Sequence, residues 1–122
     1  MIVNKMLVID DEEDYCRALK KGLEMKTTFQ VFTATSGVEG IRLAKAEKPD
    51  LILLDIMMPS MAGTEVAAEL AQDPVTSSIP IIFVTALIKE EEVRNREPVP
   101  GRRTFFAKPV IIDELIKKID AM

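Results

Sequence analysis

Leu51-Ile52-Leu53-Leu54-Asp55-Ile56-Met57-Met58-Pro59 is the stretch on which the reading of the fold turns. Four apolar residues run straight into one aspartate, and a short turn with a proline and then Gly63 follow. A short apolar run without polar alternation reads as a strand buried on both faces, as in a parallel sheet. Asp55 sits where that strand should end. The carboxyl ends of strands are where open α/β sheets place their sites. Taken alone, Asp55 is more simply a solvated loop residue closing a strand. The polar residues that end three other strand-like runs change that balance.

Outward from this stretch, strand and helix patterns alternate. Lys5 to Ile9 is a strand candidate, with Met6-Leu7-Val8-Ile9 continuously apolar. Five acids follow, Asp10-Asp11-Glu12-Glu13-Asp14. Acids favour a helix N-terminus through the dipole, and a helix is expected from about Glu12 to Lys26, with Tyr15, Leu19 and Leu23 on one face. Glu13 and Asp14 read as its solvated first turn. Asp10 and Asp11 lie at the strand end. Phe29 to Ala34 is the second strand. Ser36-Gly37-Val38-Glu39 has the pattern of a capping box, opening a helix to about Glu47 with Val38, Ile41 and Ala44 inward, and Pro49 stops it. The third strand is expected over Asp50 to Leu54, and a third helix over Gly63 to Ala71 with Val66, Ala67 and Leu70 as its apolar stripe. Ile79 to Val84 is the fourth strand and ends in Thr85-Ala86. A weak, highly charged helix is expected over Leu87 to Arg94, then an irregular stretch over Glu97 to Gly101, where two prolines and a glycine exclude regular structure. Thr104 to Ala107 is the fifth strand, ending at Lys108-Pro109. The last helix starts near Ile112 or Asp113, with Ile112, Leu115, Ile116, Ile119 and Met122 forming a stripe. Repeated alternation of apolar strands and amphipathic helices implies an α/β fold, a parallel sheet with helices on both faces.

Composition narrows the function classes. At 122 residues the chain reads as a single domain over 1–122, with Met1 a natural start and no output domain in this chain. Its 16 Lys plus Arg against 20 Asp plus Glu give a net charge of −4, which argues against direct nucleic-acid contact. No stretch approaches the roughly 20 apolar residues of a membrane helix, and no signal peptide is evident. The lone cysteine, Cys16, suits a reducing cytoplasm. Histidine is absent, which excludes histidine catalysis and, with one cysteine, the usual zinc sites.

The strand ends carry the chemistry. Asp10 and Asp11 end the first strand, Asp55 the third, Thr85 the fourth and Lys108 the fifth. In a parallel sheet these ends share one edge. Three carboxylates against one ammonium leave a residual negative charge on hard oxygens, which invites a divalent hard cation such as Mg2+. A carboxylate, a hydroxyl and an ammonium beside Mg2+ suit a phosphoryl group. An aspartate can itself be the nucleophile and hold the group as an acyl phosphate. In that reading Asp55 attacks phosphorus. Asp10, Asp11, Asp55 and the backbone carbonyl of Met57 hold the metal, and Thr85 and Lys108 each contact a phosphoryl oxygen.

These residues carry a resemblance. The acidic pair Asp10-Asp11, Asp55 with Met58-Pro59 and Gly63, Thr85-Ala86 and Lys108-Pro109 resemble the receiver domain of response regulators in two-component signalling. The likeness covers nearly the whole chain. It implies a flavodoxin-like (βα)5 fold with strand order 2-1-3-4-5. It implies that Asp55 is phosphorylated from a phosphohistidine on a histidine kinase or histidine phosphotransfer protein. With no histidine, this chain is not that donor. It also implies a switch in which Thr85 moves toward the phosphoryl group and an aromatic on the fifth strand, here Phe105, follows. A downstream protein would then dock near the fourth helix, fifth strand and fifth helix. Phe105 departs from the frequent tyrosine and has no hydroxyl to report a buried or exposed state; plain core packing is the simpler alternative to the switch role. The segment 87–103 departs from the family pattern. Met57 and Leu87 stand where the family tunes phosphoryl lifetime. Both are apolar, so slow self-dephosphorylation is expected and no outside substrate is turned over. A phosphorylation-independent interaction module of the same fold is the alternative, against which the intact acids, Thr85 and Lys108 argue. A flavin carrier would want a phosphate-cradling loop after the first strand, where the acids would repel phosphate. An aspartate-nucleophile phosphatase would want an acid where Met57 stands.

Overall fold

The computed structural model describes residues 2–86 and 104–122. Among the described residues the elements run, in chain order, β1 (Lys5–Ile9), α1 (Glu13–Lys26), β2 (Gln30–Ala34), α2 (Gly37–Glu47), β3 (Leu51–Asp55), α3 (Gly63–Gln72), β4 (Ile81–Thr85), β5 (Thr104–Ala107) and α4 (Ile112–Asp120). The strands form one sheet in the order β2-β1-β3-β4-β5, every neighbouring pair parallel. This is the order the family resemblance implied. The helix expected over Leu87 to Arg94 and the irregular stretch to Gly101 lie outside the described residues.

The pleat explains why the strands are apolar without alternation. Successive side chains point to opposite faces, and both faces are covered. On one side Met6, Val8, Leu51, Leu53, Ile82 and Val84 pack against Cys16, Leu19 and Leu23 of α1 and Leu115 and Ile119 of α4. On the other, Leu7, Ile9, Ile52, Leu54 and Phe83 meet Ala44 of α2 and Val66, Ala67 and Leu70 of α3. All five residues of β3, the central strand, are buried.

Two expectations fail on α2. Val38 was expected inward but is 74% exposed. Ala44 is buried and Ile41 packs against the core as expected, while the closest approaches are made by Gly37 and Gly40. A Cβ on Gly40 would stand 2.5 Å from Ile9 Cδ1. The capping box forms only in half. Ser36 Oγ accepts from Glu39 N at 3.2 Å, while the Glu39 carboxylate turns to Arg42. The helix ends on Lys48 in the left-handed region, φ 48°, immediately before Pro49. Strand bounds shift by one or two residues. The fourth strand starts after Pro80, which has no N–H to give the ladder, and the third reaches Asp55 itself.

Backbone bonds carry the ladder to the site edge. Asp10 N donates to Ala34 O, Ile56 N to Val84 O and Lys108 N to Thr85 O, each at 3.0 Å. The turn after β3 folds back tightly, with Gly63 N donating to Ile56 O at 2.8 Å. A Cβ at Gly63 would lie 2.2 Å from the Asp55 carbonyl oxygen and 2.8 Å from Ile56 Cα, both backbone atoms. Gly63→Ala is therefore expected to force the β3 end apart and cost about 1–3 kcal/mol, measured by urea denaturation. A midpoint unchanged from the parent chain would show that this turn is not close-packed.

Candidate functional site

Asp10, Asp11, Asp55, Thr85 and Lys108 meet at the carboxyl edge of the sheet, because each belongs to the end of a parallel strand or the residue or two just after it. One carboxylate oxygen from each of Asp10, Asp11 and Asp55 lies within 4.8 Å of the others. Asp10 is 2% exposed and Asp55 4%, whereas Asp11 faces solvent. Asp10 Oδ1 accepts from Glu12 N at 2.9 Å, holding the strand-to-helix turn. Asp55 Oδ1 accepts from Met57 N at 3.3 Å. Thr85 ends β4 at 1% exposure.

Lys108 is the counter-charge. Its Nζ lies 2.7 Å from Asp10 Oδ2, 3.0 Å from Glu12 Oε1 and 3.5 Å from Asp55 Oδ2. The side chain is 10% exposed. Burial alone would lower its pKa, but the hydrogen bonds to Asp10 and Glu12 outweigh burial and hold the ammonium above its ordinary range. Asp55 moves the other way. Burial, then the Asp10 charge, pushes its carboxyl up to about 6, with Lys108 opposing. Hard carboxylate oxygens gathered with an excess of negative charge fit a divalent hard cation, so the residues present suit Mg2+. The Cys16 thiol donates to the Asp10 carbonyl at 3.3 Å. Burial first, and the Asp10 charge second, push it up to about 12, so it stays a protonated thiol.

Phe105 of β5 is half-buried and stacks on its register partner Phe83, ring centroids 5.3 Å apart and planes inclined at 21°. Two residues at the site were not singled out from the sequence. Glu12 was read only as the start of a helix, yet it bonds Lys108. Tyr15 was read only as a core position, yet its ring centroid lies 4.7 Å from Lys108 Nζ. The signal for Glu12 was its place directly after the acid pair. Tyr15 follows three residues later, a spacing that returns to the same side of a helix.

The sequence profile described as the response regulator receiver domain matches residues 6–120. Protein PilH of Pseudomonas aeruginosa is 37% identical over 119 residues, covering 97% of this chain and 96% of its own length. The alkaline phosphatase synthesis transcriptional regulatory protein PhoP of Bacillus subtilis is 43% identical over 119 residues, but this chain spans only 48% of its length. Among solved structures, chemotaxis protein CheY4 of Vibrio cholerae superposes with a TM-score of 0.82 at 24% identity, covering 98% of each chain, a likeness of fold.

The raised Asp55 pKa has a consequence for stability in metal-free buffer. A group whose folded pKa lies above its unfolded value stabilises most below the unfolded pKa, and that stability is lost as pH rises through the folded one. The window runs from about 4 up to about 6. A shift of this size is worth about 3 kcal/mol at most, and solvent screening on the open side reduces it to ~1–2 kcal/mol. Asp55→Asn removes the buried charge. It is expected to stabilise the chain by that amount at pH 7 with chelator present, and the gap should close as pH falls toward 4. Urea denaturation at several pH values checks it; a gap independent of pH would contradict the assigned cause.

Proposed function

The chain belongs to the response regulator receiver domain family, and from that premise we propose that it is a phosphoacceptor signalling module phosphorylated on Asp55. The observation that carries this reading is the convergence of Asp10, Asp11, Asp55 and Lys108 on one edge of the sheet. The donor is a phosphohistidine on a histidine kinase or histidine phosphotransfer protein. An Asp55 carboxylate oxygen attacks phosphorus, the P–N bond breaks and the imidazole leaves, so that Asp55 carries an acyl phosphate. Asp10, Asp11 and Asp55, with the Met57 carbonyl, would hold Mg2+, which when bound supplies Lewis-acid neutralisation of phosphoryl charge. Lys108 shifts from its carboxylate partners to a phosphoryl oxygen. Thr85 donates its hydroxyl to another. A carboxyl with a pKa near 6 is a weakened nucleophile while partly protonated, so a cation at the acid cluster also serves to keep Asp55 ionised.

The switch runs from Thr85 to Phe105 and alters a docking surface near β5, α4 and the segment preceding β5. The readout partner is a protein rather than nucleic acid, in keeping with the net charge of −4. No helix among the described residues is long and apolar enough to cross a membrane, and action in the cytoplasm is part of the proposal. Residues 1–122 act here as one receiver unit.

Incubation with acetyl phosphate and Mg2+ is expected to add one phosphoryl group by intact mass, with no adduct when Mg2+ is chelated or in Asp55→Asn. No adduct on the folded chain, even with a phosphohistidine donor, would favour the phosphorylation-independent interaction module. Because Met57 and Leu87 are apolar, neither activates a hydrolytic water. The adduct should therefore persist for minutes or longer after the donor is removed. Loss within seconds would rule out this account of its lifetime.

A further inference from the structure

We propose that Tyr15 is a positioning residue whose ring face stations the Lys108 ammonium beside the phosphoacceptor. The inference rests on the reading of Lys108 as the partner of a phosphoryl oxygen and adds a residue to that machinery. An ammonium within about 6 Å of an aromatic centroid is attracted by the ring quadrupole, more strongly where water is excluded. The Tyr15 centroid lies 4.7 Å from Lys108 Nζ, and the lysine side chain is 10% exposed. The contact is therefore largely shielded from solvent.

Donor arithmetic shows what the ring adds. A lysine ammonium has three N–H donors. Three carboxylates already face it, at 2.7, 3.0 and 3.5 Å. A cation at Asp10, Asp11 and Asp55 competes with Lys108 for two of the three. Glu12, the third, has a side chain 65% exposed, so water can replace it cheaply. Each carboxylate is thus a partner that the reaction removes or exchanges. Among the described residues, the Tyr15 ring is the neighbour that no cation and no phosphoryl oxygen displaces. Lysine is a compact charge on a flexible four-carbon stem, and without a fixed neighbour the freed ammonium would spread over many rotamers. Held over the ring, it stays within reach of the oxygens arriving on Asp55. Tyr15 is itself anchored, since α1 packs on the sheet and the ring is part of the core beside α4.

The experiment compares phosphoryl uptake from acetyl phosphate at saturating Mg2+, followed by intact mass. Tyr15→Phe keeps the ring face and should keep the rate. Tyr15→Leu keeps apolar bulk without a ring face and should slow uptake about three- to tenfold. In a Lys108→Ala background the same Tyr15→Leu change should have no further effect, since the two act as one unit. If that background is too slow to rate, the split between Tyr15→Phe and Tyr15→Leu decides. Ring-current displacement of the Lys108 ε-proton resonances, present in the parent chain and in Tyr15→Phe and absent in Tyr15→Leu, confirms that the folded variants differ at this contact. Equal rates for Tyr15→Phe and Tyr15→Leu, or an undiminished effect without Lys108, would overturn the assignment while leaving the receiver reading intact. No uptake by the parent chain would remove the receiver reading, and the inference with it.

Discussion

The structure depends on one electrostatic imbalance held at the edge of an apolar sheet. Among the described residues, Asp10, Glu12 and Asp55 face the Lys108 ammonium, with Asp11 beside them. Two of the carboxylates are almost wholly buried, and burying charge is costly unless it is paired. Nothing in the local sequence would gather these groups. Five acids in a row would repel one another and extend, and a lysine nearly a hundred residues later in the chain has no local reason to meet them. The parallel sheet gathers them, because the register of β1, β3, β4 and β5 brings each strand to the same edge. The apolar core on both faces offsets what the site costs. The carboxylates that cost the fold stability are the groups a divalent cation would satisfy.

How much of this was legible in the sequence follows from the range of each interaction. The β3 run could be read because complete burial on both faces leaves no polar residue in it, and the same held for β1 and β4. The site residues could be read because strand ends have a fixed place in a parallel sheet. Strand order was a different matter. Alternation gives parallel strands, but nothing in the residues says that β2 lies outside β1, and that step rested on the family resemblance. The inward face of α2 was misread for a packing reason. Ala44 and Ile41 pack inward as expected, but where the helix comes closest only Gly37 and Gly40 fit, and Val38 was left outside. Glu12 and Tyr15 were passed over because acids and an aromatic at a helix start already have a local explanation. Their contact with Lys108 is tertiary, and the three-residue spacing between them shows only that they share a helix side.

The turn after β3 shows how sheet and site constrain each other. Asp55 must end a buried strand and also present its carboxylate at the edge. The chain then has to reverse at once, and Gly63 makes this possible by lying against the Asp55 carbonyl. The same turn aims Met57 N at Asp55 Oδ1, so one main-chain donor orients the Asp55 carboxylate. Met57 is itself 55% exposed, an apolar side chain held out beside the site rather than packed beneath it. The turn thus contributes a main-chain donor to the carboxylate, with the Lys108 ammonium on its other oxygen.

Phe105 follows from the same register. It pairs with Phe83 across β4 and β5, and Thr85 stands two residues beyond Phe83, on the same face of the strand. Thr85 and this aromatic pair therefore lie on one side of the sheet. A stacked pair contributes about 0.5–1.5 kcal/mol beyond its buried area, and a difference of about 1.4 kcal/mol is a tenfold change in population. The ring is only half-buried at rest. Lacking a hydroxyl, it gains no hydrogen bond to solvent on swinging outward, so its resting preference is set by the Phe83 contact and by apolar burial. Both terms are of the size that a few kcal/mol of differential binding at Asp55 would overturn. With phenylalanine at this position, the placement of the ring rests on packing alone.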